Sequence, residues 1–304
     1  MDRPLVSVRM ITYNQEKYIA EAIESVLKQK VDFQYELIIG EDASTDNTAA
    51  IVDHYQEKYP EIIKVFHRRK NLGMQMNCRL TMEECRGKYV AVLAGDDYWT
   101  YEGKLQKQVE YLERNQDVVG TAHNVYSCDA NGDEAPAEYI AFPMQRRHIY
   151  SKHYVMCLQQ LGHSSSFVYR NIKYLLNREQ WESFLNCRLN GDVRVSYTLG
   201  MLGRCVYFED IWSCSRRLLE GEGWLASTYQ QNLLSYYVDM DLETYKYLST
   251  VFGINIDISQ SLLQKIKLAR YLAIESATKE NIVIMLKVYI SYIRFQLKKW
   301  RLKI

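Results

Sequence analysis

Asp96 and Asp97 stand side by side after the small residues Ala94 and Gly95, at the end of the apolar run Tyr89-Val90-Ala91-Val92-Leu93. Two carboxylates this close raise each other's pKa unless a cation sits beside them. Oxygen ligands of this kind suit Mg2+ or Mn2+, which take one or two protein carboxylates together with phosphate oxygens. A metal held there neutralises the charge on a departing diphosphate. Taken alone, the pair is equally a solvated turn. Two earlier segments strengthen the chemical reading: Thr12-Tyr13-Asn14 closes one apolar run, and Glu41-Asp42 closes Tyr35-Glu36-Leu37-Ile38-Ile39-Gly40.

These segments need elements to position them. Short β-branched runs predict strands over 5–11, 35–40, 62–66 and 88–93. Between them, apolar residues at helical spacing (Ile19, Ala22, Ile23, Val26, Leu27) predict a helix over 17–29, and further helices are expected over 74–85 and 103–115. Ser44 or Thr45 would cap another helix running to about 59. Strands alternating with such helices imply right-handed crossovers and an α/β fold with a mostly parallel sheet. Ligands of such sheets bind outside the carboxyl ends of the strands, so the three polar ends are expected to line one cleft. Beyond them, strands are predicted over 118–126, 167–169 and 205–208, and a helix over 191–202. A loop is expected over 129–133, irregular chain over 135–160, and helices from about 224 to the end.

Composition narrows the classes. The 304 residues carry a net charge of +1, which gives no reason to expect a nucleic-acid partner. No secretory signal opens the sequence, and no run of about 20 apolar residues could span a membrane. The nearest, 282–293, is broken by Lys287. Seven scattered cysteines without a CxxC pair read as reduced, buried thiols of a cytoplasmic protein. Arg9 interrupts the first strand and reads as an edge feature.

The ordered set of segments resembles family 2 glycosyltransferases of the GT-A fold. The residues that carry the resemblance are Val6-Ser7-Val8 through Thr12-Tyr13-Asn14, Ile19 to Gln29, Glu41-Asp42-Ala43-Ser44-Thr45-Asp46-Asn47-Thr48, Asn71-Leu72-Gly73, Gly87-Lys88-Tyr89, Gly95-Asp96-Asp97-Tyr98-Trp99 and Lys104-Leu105-Gln106-Lys107-Gln108. The resemblance implies a catalytic domain over 1–222, with a nucleotide-binding half (1–120) and an acceptor-side half (121–222), and a helical region over 223–304. It implies that Thr12, Tyr13 and Asp42 hold the base of a nucleotide-sugar, UDP-linked by expectation. Asn71, Gly73 and Asn77 would face the nucleotide, Asp96 the ribose and donor sugar, and Asp97 a Mn2+ or Mg2+ ion. The acidic residue that usually opens the family's metal motif is replaced by Ala94, and Ile11 stands in place of a proline. Asn190-Gly191-Asp192 is similar to the segment that supplies the base in inverting transfer, so Asp192 is the expected catalytic base; it can equally cap the helix it opens. Weaker expectations attach to Trp99 as a sugar platform or packing residue, His163 on the acceptor side, and Arg216 or Arg217 with Gly221 and Gly223 as a lid touching the diphosphate.

The last stretch places Ile282, Leu286, Tyr289, Ile293, Leu297 and Trp300 at helical spacing among Arg294, Lys298, Lys299, Arg301 and Lys303. A basic amphipathic helix can lie on an anionic membrane, which suits a peripheral protein of the inner face acting on a glycan or lipid-linked acceptor. It can equally pack on the rest of the chain. Two other functions remain open. A nucleotidyltransferase would want a glycine-rich basic loop after the first strand, where Thr12-Tyr13-Asn14-Gln15-Glu16 stands instead; the other is a catalytically inactive nucleotide-sugar-binding module. A dehydrogenase would want GxGxxG there, which is absent.

Overall fold

The computed structural model describes residues 3–133, 149–216, 233–275 and 279–301, and divides the chain into two compact units. One comprises Met1–Trp181 with Asn190–Leu218, the other Glu182–Leu189 with Leu219–Ile304. The boundary expected near 222 falls within 217–232, outside the described residues.

The first unit opens with β1 (Val6–Thr12), α1 (Ile19–Leu27), β2 (Tyr35–Glu41), α2 (Thr48–Lys58), β3 (Ile63–His67), α3 (Met74–Glu84) and β4 (Tyr89–Ala94). It continues through β5 (Tyr98–Trp99), α4 (Lys104–Arg114), β6 (Val118–Cys128), β7 (Ile149–Tyr150), α5 (Lys152–Met156), β8 (Val168–Arg170), α6 (Arg178–Asn186), α7 (Gly191–Leu202) and β9 (Arg204–Arg216). The strands form one sheet in the order β3-β2-β1-β4-β8-β6-β9-β5, with β7 paired to β9. The β3-β2-β1-β4 half is parallel, and β8 runs antiparallel between β4 and β6. This is the mixed α/β, mostly parallel sheet expected of a GT-A fold.

Alternation explains how β1 is held. Val6, Val8 and Met10 are fully buried, in one core with Ile19, Ala22, Ile23 and Val26 of α1. Ser7 and Arg9 point to the other face, where Ser7 Oγ donates to Glu36 Oε1 (2.7 Å) and Arg9 donates to Cys78 Sγ of α3. Burying each large aliphatic side chain contributes roughly 1.5–3 kcal/mol. Arg9 therefore corrects the reading of it as an edge feature: β1 lies between β2 and β4, and Arg9 is only 6% exposed.

The cysteine expectation is also corrected. Cys128 and Cys214, on neighbouring strands β6 and β9, form a disulfide with a Cα–Cα distance of 6.5 Å. Among the five free thiols, Cys157 is exposed rather than buried. Strand β9 runs on to Arg216 because β6 continues beside it through register shifts at His123 and Asn124. Part of the stretch read as irregular is ordered in β7 and α5; 134–148 lies outside the described residues.

The second unit holds α8 (Leu233–Phe252), α9 (Ser259–Glu275) and α10 (Lys279–Arg301). Val238, Leu248, Leu262 and Val288 are buried, and the rings of Tyr245 and Phe295 meet edge to face at 5.0 Å. No helix among the described residues is long and apolar enough to cross a membrane.

Leu93 is fully buried at the last turn of core before the acidic pair. Leu93→Ala is expected to lower unfolding free energy by about 2–5 kcal/mol through lost transfer and cavity terms, measured by urea denaturation. A cost below about 1 kcal/mol would contradict the packing described.

Candidate functional site

Because β2, β1 and β4 are adjacent and parallel, their carboxyl ends emerge side by side: Thr12 pairs with Glu41, and Ile11 with Ala94. Gly95 permits the close approach there. A Cβ at this position would lie 2.4 Å from Gln15 Oε1 and 2.9 Å from Thr12 Oγ1. Its smallness thus serves the contact between two strand ends.

The turns after β1 and β2 hold each other. Asn14 and Ala43 adopt positive φ (51° and 59°), conformations that non-glycine residues keep only when their surroundings enforce them. Asn14 N–H donates to Ser44 Oγ (3.0 Å), and Asn14 Oδ1 accepts from Thr45 N–H (2.8 Å). Glu41 accepts from the N–H groups of Ala43 (3.2 Å) and Ser44 (2.7 Å). Asp42, 2% exposed, accepts from Leu72 N–H through Oδ1 and from Gly73 N–H through Oδ2, both at 2.9 Å. Asn71 is exposed, and its Oδ1 shares the Gly73 N–H (2.9 Å). Asn77 is buried; it donates to Gly40 O (2.8 Å) and accepts from Arg68 Nε (3.0 Å). Asp42 and Asn77 thus shape the loop at 71–73 that α3 follows. Tyr13, half-buried, stands at the same edge.

Asp96 and Asp97 have different surroundings. Asp97 is 4% exposed; its Oδ1 accepts from Arg216 N–H (3.0 Å), and its Oδ2 lies 3.9 Å from His163 Nδ1. Burial pushes the Asp96 carboxyl above the ordinary carboxylate range, while its own N–H, the Arg216 guanidinium and Gln15 pull it back. Arg216 was expected in a lid, but it ends β9 and is pinned. Its guanidinium donates to Asp96 O (2.8 Å) and to Glu21, and lies between the rings of Tyr18 (5.0 Å) and Tyr98 (4.8 Å). Each such cation–ring contact contributes about 0.5–2 kcal/mol. Arg217, Gly221 and Gly223 lie outside the described residues. Sequence reasoning missed Gln15, Tyr18, Glu21 and Tyr98, whose roles depend on contacts with distant segments.

Trp99 is 4% exposed, donates Nε1–H to Ser165 O (2.9 Å) and carries Lys104 Nζ over its ring at 4.2 Å; of the two expectations for it, the structure shows the packing one. His163 caps the short turn Ser164–Ser166, with Nδ1 2.8 Å from Ser165 Oγ and Nε2 3.0 Å from Ser215 Oγ. Asp192 opens α7, half-buried, and accepts from Val193 N–H (2.8 Å); burial raises its pKa, while that backbone bond, its own N–H, Arg9 and Arg194 lower it.

A divalent cation fits this donor set as a partial shell. Among the described residues no group of three or more His, Cys, Asp or Glu side chains could hold a metal ion. Two adjacent carboxylates, one driven toward its neutral form by burial, are what Mg2+ or Mn2+ takes from a protein when phosphate oxygens complete its coordination.

A sequence model described as glycosyl transferase family 2 matches residues 7–175, more than half of the chain. An uncharacterized protein of Mycobacterium tuberculosis is 40% identical over 134 residues, which are 43% of this chain and 39% of the relative. The chain thus spans about two-fifths of that relative's length. An uncharacterized glycosyltransferase of Methanocaldococcus jannaschii is 29% identical over 245 residues, covering 78% of this chain and 79% of the relative. Among solved structures, S. aureus TarS 1-349 in complex with UDP-GlcNAc matches with a TM-score of 0.53 at 16% identity, covering 95% of this chain and 88% of that 1-349 chain. The mannosyltransferase PcManGT of Pyrobaculum calidifontis, in complex with GDP-Man and Mn2+, matches with a TM-score of 0.53 at 16% identity, covering 98% and 88%. These two likenesses show the fold.

Asp42→Asn sets an amide N–H2 against one of the two backbone N–H groups that the carboxylate now receives. It is expected to cost about 1–3 kcal/mol, as for a buried donor left without an acceptor. Urea denaturation measures it; an unchanged midpoint would mean that the loop is held by other bonds.

Proposed function

The chain belongs to glycosyl transferase family 2, and from that premise we propose that it moves a sugar, with inversion, from a UDP-linked donor to a hydroxyl of a glycan or lipid-linked saccharide. The observation that carries this reading is the convergence of the three parallel strand ends on Asp96 and Asp97. In the proposed reaction the acceptor oxygen attacks the anomeric carbon. The bond to the diphosphate breaks on the opposite face, and Asp192 takes the hydroxyl proton. Tyr13 and the loop at 71–73 shaped by Asp42 receive the base, and Asp96 faces the ribose and sugar. Asp97 is the residue that would hold Mn2+ or Mg2+, which when bound neutralises charge on the leaving diphosphate. The guanidinium of Arg216 adds a fixed positive charge; its Nε is buried without a partner among the described residues. The first unit is the proposed catalytic domain.

We further propose that the protein works at the cytoplasmic face of the membrane, held there by α10. What supports this is a second apolar stripe on that helix. Ile284, Val288 and Phe295 are buried, while Ile282, Leu286, Ile290, Ile293 and Leu297 are 42–55% exposed. Residues 279–304 carry seven Lys or Arg against one Glu, which favours an anionic lipid surface over a second copy of the same cationic helix.

Calorimetry is expected to show UDP binding that depends on Mn2+ or Mg2+ and is lost in Asp97→Ala. Asp192→Asn should retain UDP binding and lose at least about 100-fold in nucleotide-sugar turnover, the usual contribution of a general base. Metal-independent UDP binding, or normal turnover in Asp192→Asn, would overturn the respective assignment. The full chain should co-sediment with phosphatidylglycerol vesicles and not with phosphatidylcholine vesicles. Ile290→Glu with Ile293→Glu should abolish this; a dimer that the same pair dissociates, without vesicle binding, would reassign the stripe to self-association.

A further inference from the structure

Arg9 sits in the middle of a central parallel strand, between β2 and β4, where both neighbours contribute apolar residues. It is 6% exposed, and no carboxylate forms an ion pair with it among the described residues. One terminal nitrogen donates to Cys78 Sγ, and its Nε has no partner among the described residues. A lone guanidinium buried in this way is costly unless a counter-charge stands nearby.

The packing above Arg9 indicates where that counter-charge lies. Cys78, on α3, is buried, and its sulfur reaches α7 at Gly191: a Cβ there would lie 3.0 Å from Cys78 Sγ. The glycine lets the first turn of α7 settle onto the sulfur that receives Arg9. The next residue is Asp192. The groups facing Arg9 are Cys78 and Cys85 on the α3 side and Tyr169 of β8. The charged groups acting on Asp192 are Arg9 and its helix neighbour Arg194. Of these, burial pushes the Cys85 thiol up to about 12, so it stays neutral, and the Tyr169 hydroxyl has no hydrogen-bond partner among the described residues. Glu36, whose charge also reaches Cys85, is already held by Ser7, Lys64 and Arg86, which leaves Asp192 as the carboxylate that Arg9 acts on.

We propose that Arg9 is a positioning residue for Asp192: anchored through Cys78 beside the Gly191 turn, its buried guanidinium is the counter-charge of the Asp192 carboxylate. Burial alone drives this carboxyl toward its neutral form, in which it cannot accept a proton, and Arg9 opposes that shift. The relation between the two residues stands on packing and charge; its catalytic meaning rests on the reading of Asp192 as the base.

The test is the titration of Asp192 in the full-length protein, followed by 13C NMR of carboxyl-labelled aspartate, with the resonance assigned by its loss in Asp192→Asn. In Arg9→Gln the midpoint should rise by about 1 pH unit or more, the usual effect of removing a nearby opposite charge. In Arg9→Lys, which keeps the charge, it should move by less than about 0.3 unit. An unmoved midpoint in Arg9→Gln overturns the proposal. So does a shift in Arg9→Lys as large as that expected for Arg9→Gln, and this arm remains decisive where Arg9→Gln does not fold. Turnover in Asp192→Asn separates the two claims. If that variant transfers normally while the titration shifts as expected, the charge relation holds and Asp192 is not the base. If it is inactive and neither midpoint behaves as stated, the base stands and the role given to Arg9 falls.

Discussion

The hydrogen bond from Arg216 N–H to Asp97 Oδ1 joins the end of β9 to the end of β4. These strands are not neighbours in the sheet; β8 and β6 lie between them. Strand β5, which follows Asp97 directly, pairs with β9 (Tyr98 with Cys214), and the Arg216 bond carries that pairing up to the acidic pair. Arg216 makes the link doubly, since its guanidinium also donates to Asp96 O. The same residue sets a fixed cation beside two adjacent carboxylates. Its charge opposes the upward shift that burial imposes on Asp96, and the rings of Tyr18 and Tyr98 pack against it. The acidic pair is therefore organised by protein contacts from β9 and from the segment after β1.

Behind that link lies a polar interior. Trp99 donates to Ser165 O, and so does Ser213 Oγ, which also lies 3.3 Å from His123 Nε2. Lys104 is fully buried with Nζ over the Trp99 ring and no hydrogen-bond partner among the described residues, and burial holds its pKa well below the ordinary lysine value. Burial and the nearby lysine do the same to His123. Two basic groups kept toward neutrality avoid the cost of isolated charge and fix the Ser164–Ser166 turn, whose cap His163 stands next to Asp97. The position of the proposed metal ligand is thus set partly from within the core.

Much of this architecture was legible in the sequence. The parallel strands and their helices were readable within a few residues, because apolar runs and helical spacing there are strong and uninterrupted. Strand β9 was read as four residues where the structure has thirteen, since Glu209 and Asp210 break the pattern where β6 and β9 shift register. Arg9 was read as an edge residue because periodicity says which face a side chain takes but not which strands flank it. The Cys128–Cys214 pairing is invisible for the same reason: it depends on which strands are neighbours, and 86 residues separate the two. The acidic pair and Asp42 could be found by type and place, and Asp192 could be set at the head of a helix, where it stands. Arg216 was named as well, but in a lid; that it pins the acidic pair, with Tyr18 beside it, depends on the fold.

The bonding of these residues constrains how specificity can arise. Thr12 is spent on Gln15, Asp42 on the N–H groups of Leu72 and Gly73, and Asn77 on Gly40 and Arg68. Residues whose types suggest direct contact with a nucleotide are here chiefly the supports of loops. A carboxylate that already receives two backbone N–H groups gains little from a third donor and loses much if it lets either go. Under the proposed function, recognition of the base at the β1–β2 side then falls to what those supports present: the ring of Tyr13, the exposed side chain of Asn71 and the backbone of the loop at 71–73. Backbone and a ring face tolerate related bases, which a row of free carboxylates would not. Under the same proposal, selectivity for the donor comes more from Asp96 and Asp192, which keep part of their surface open.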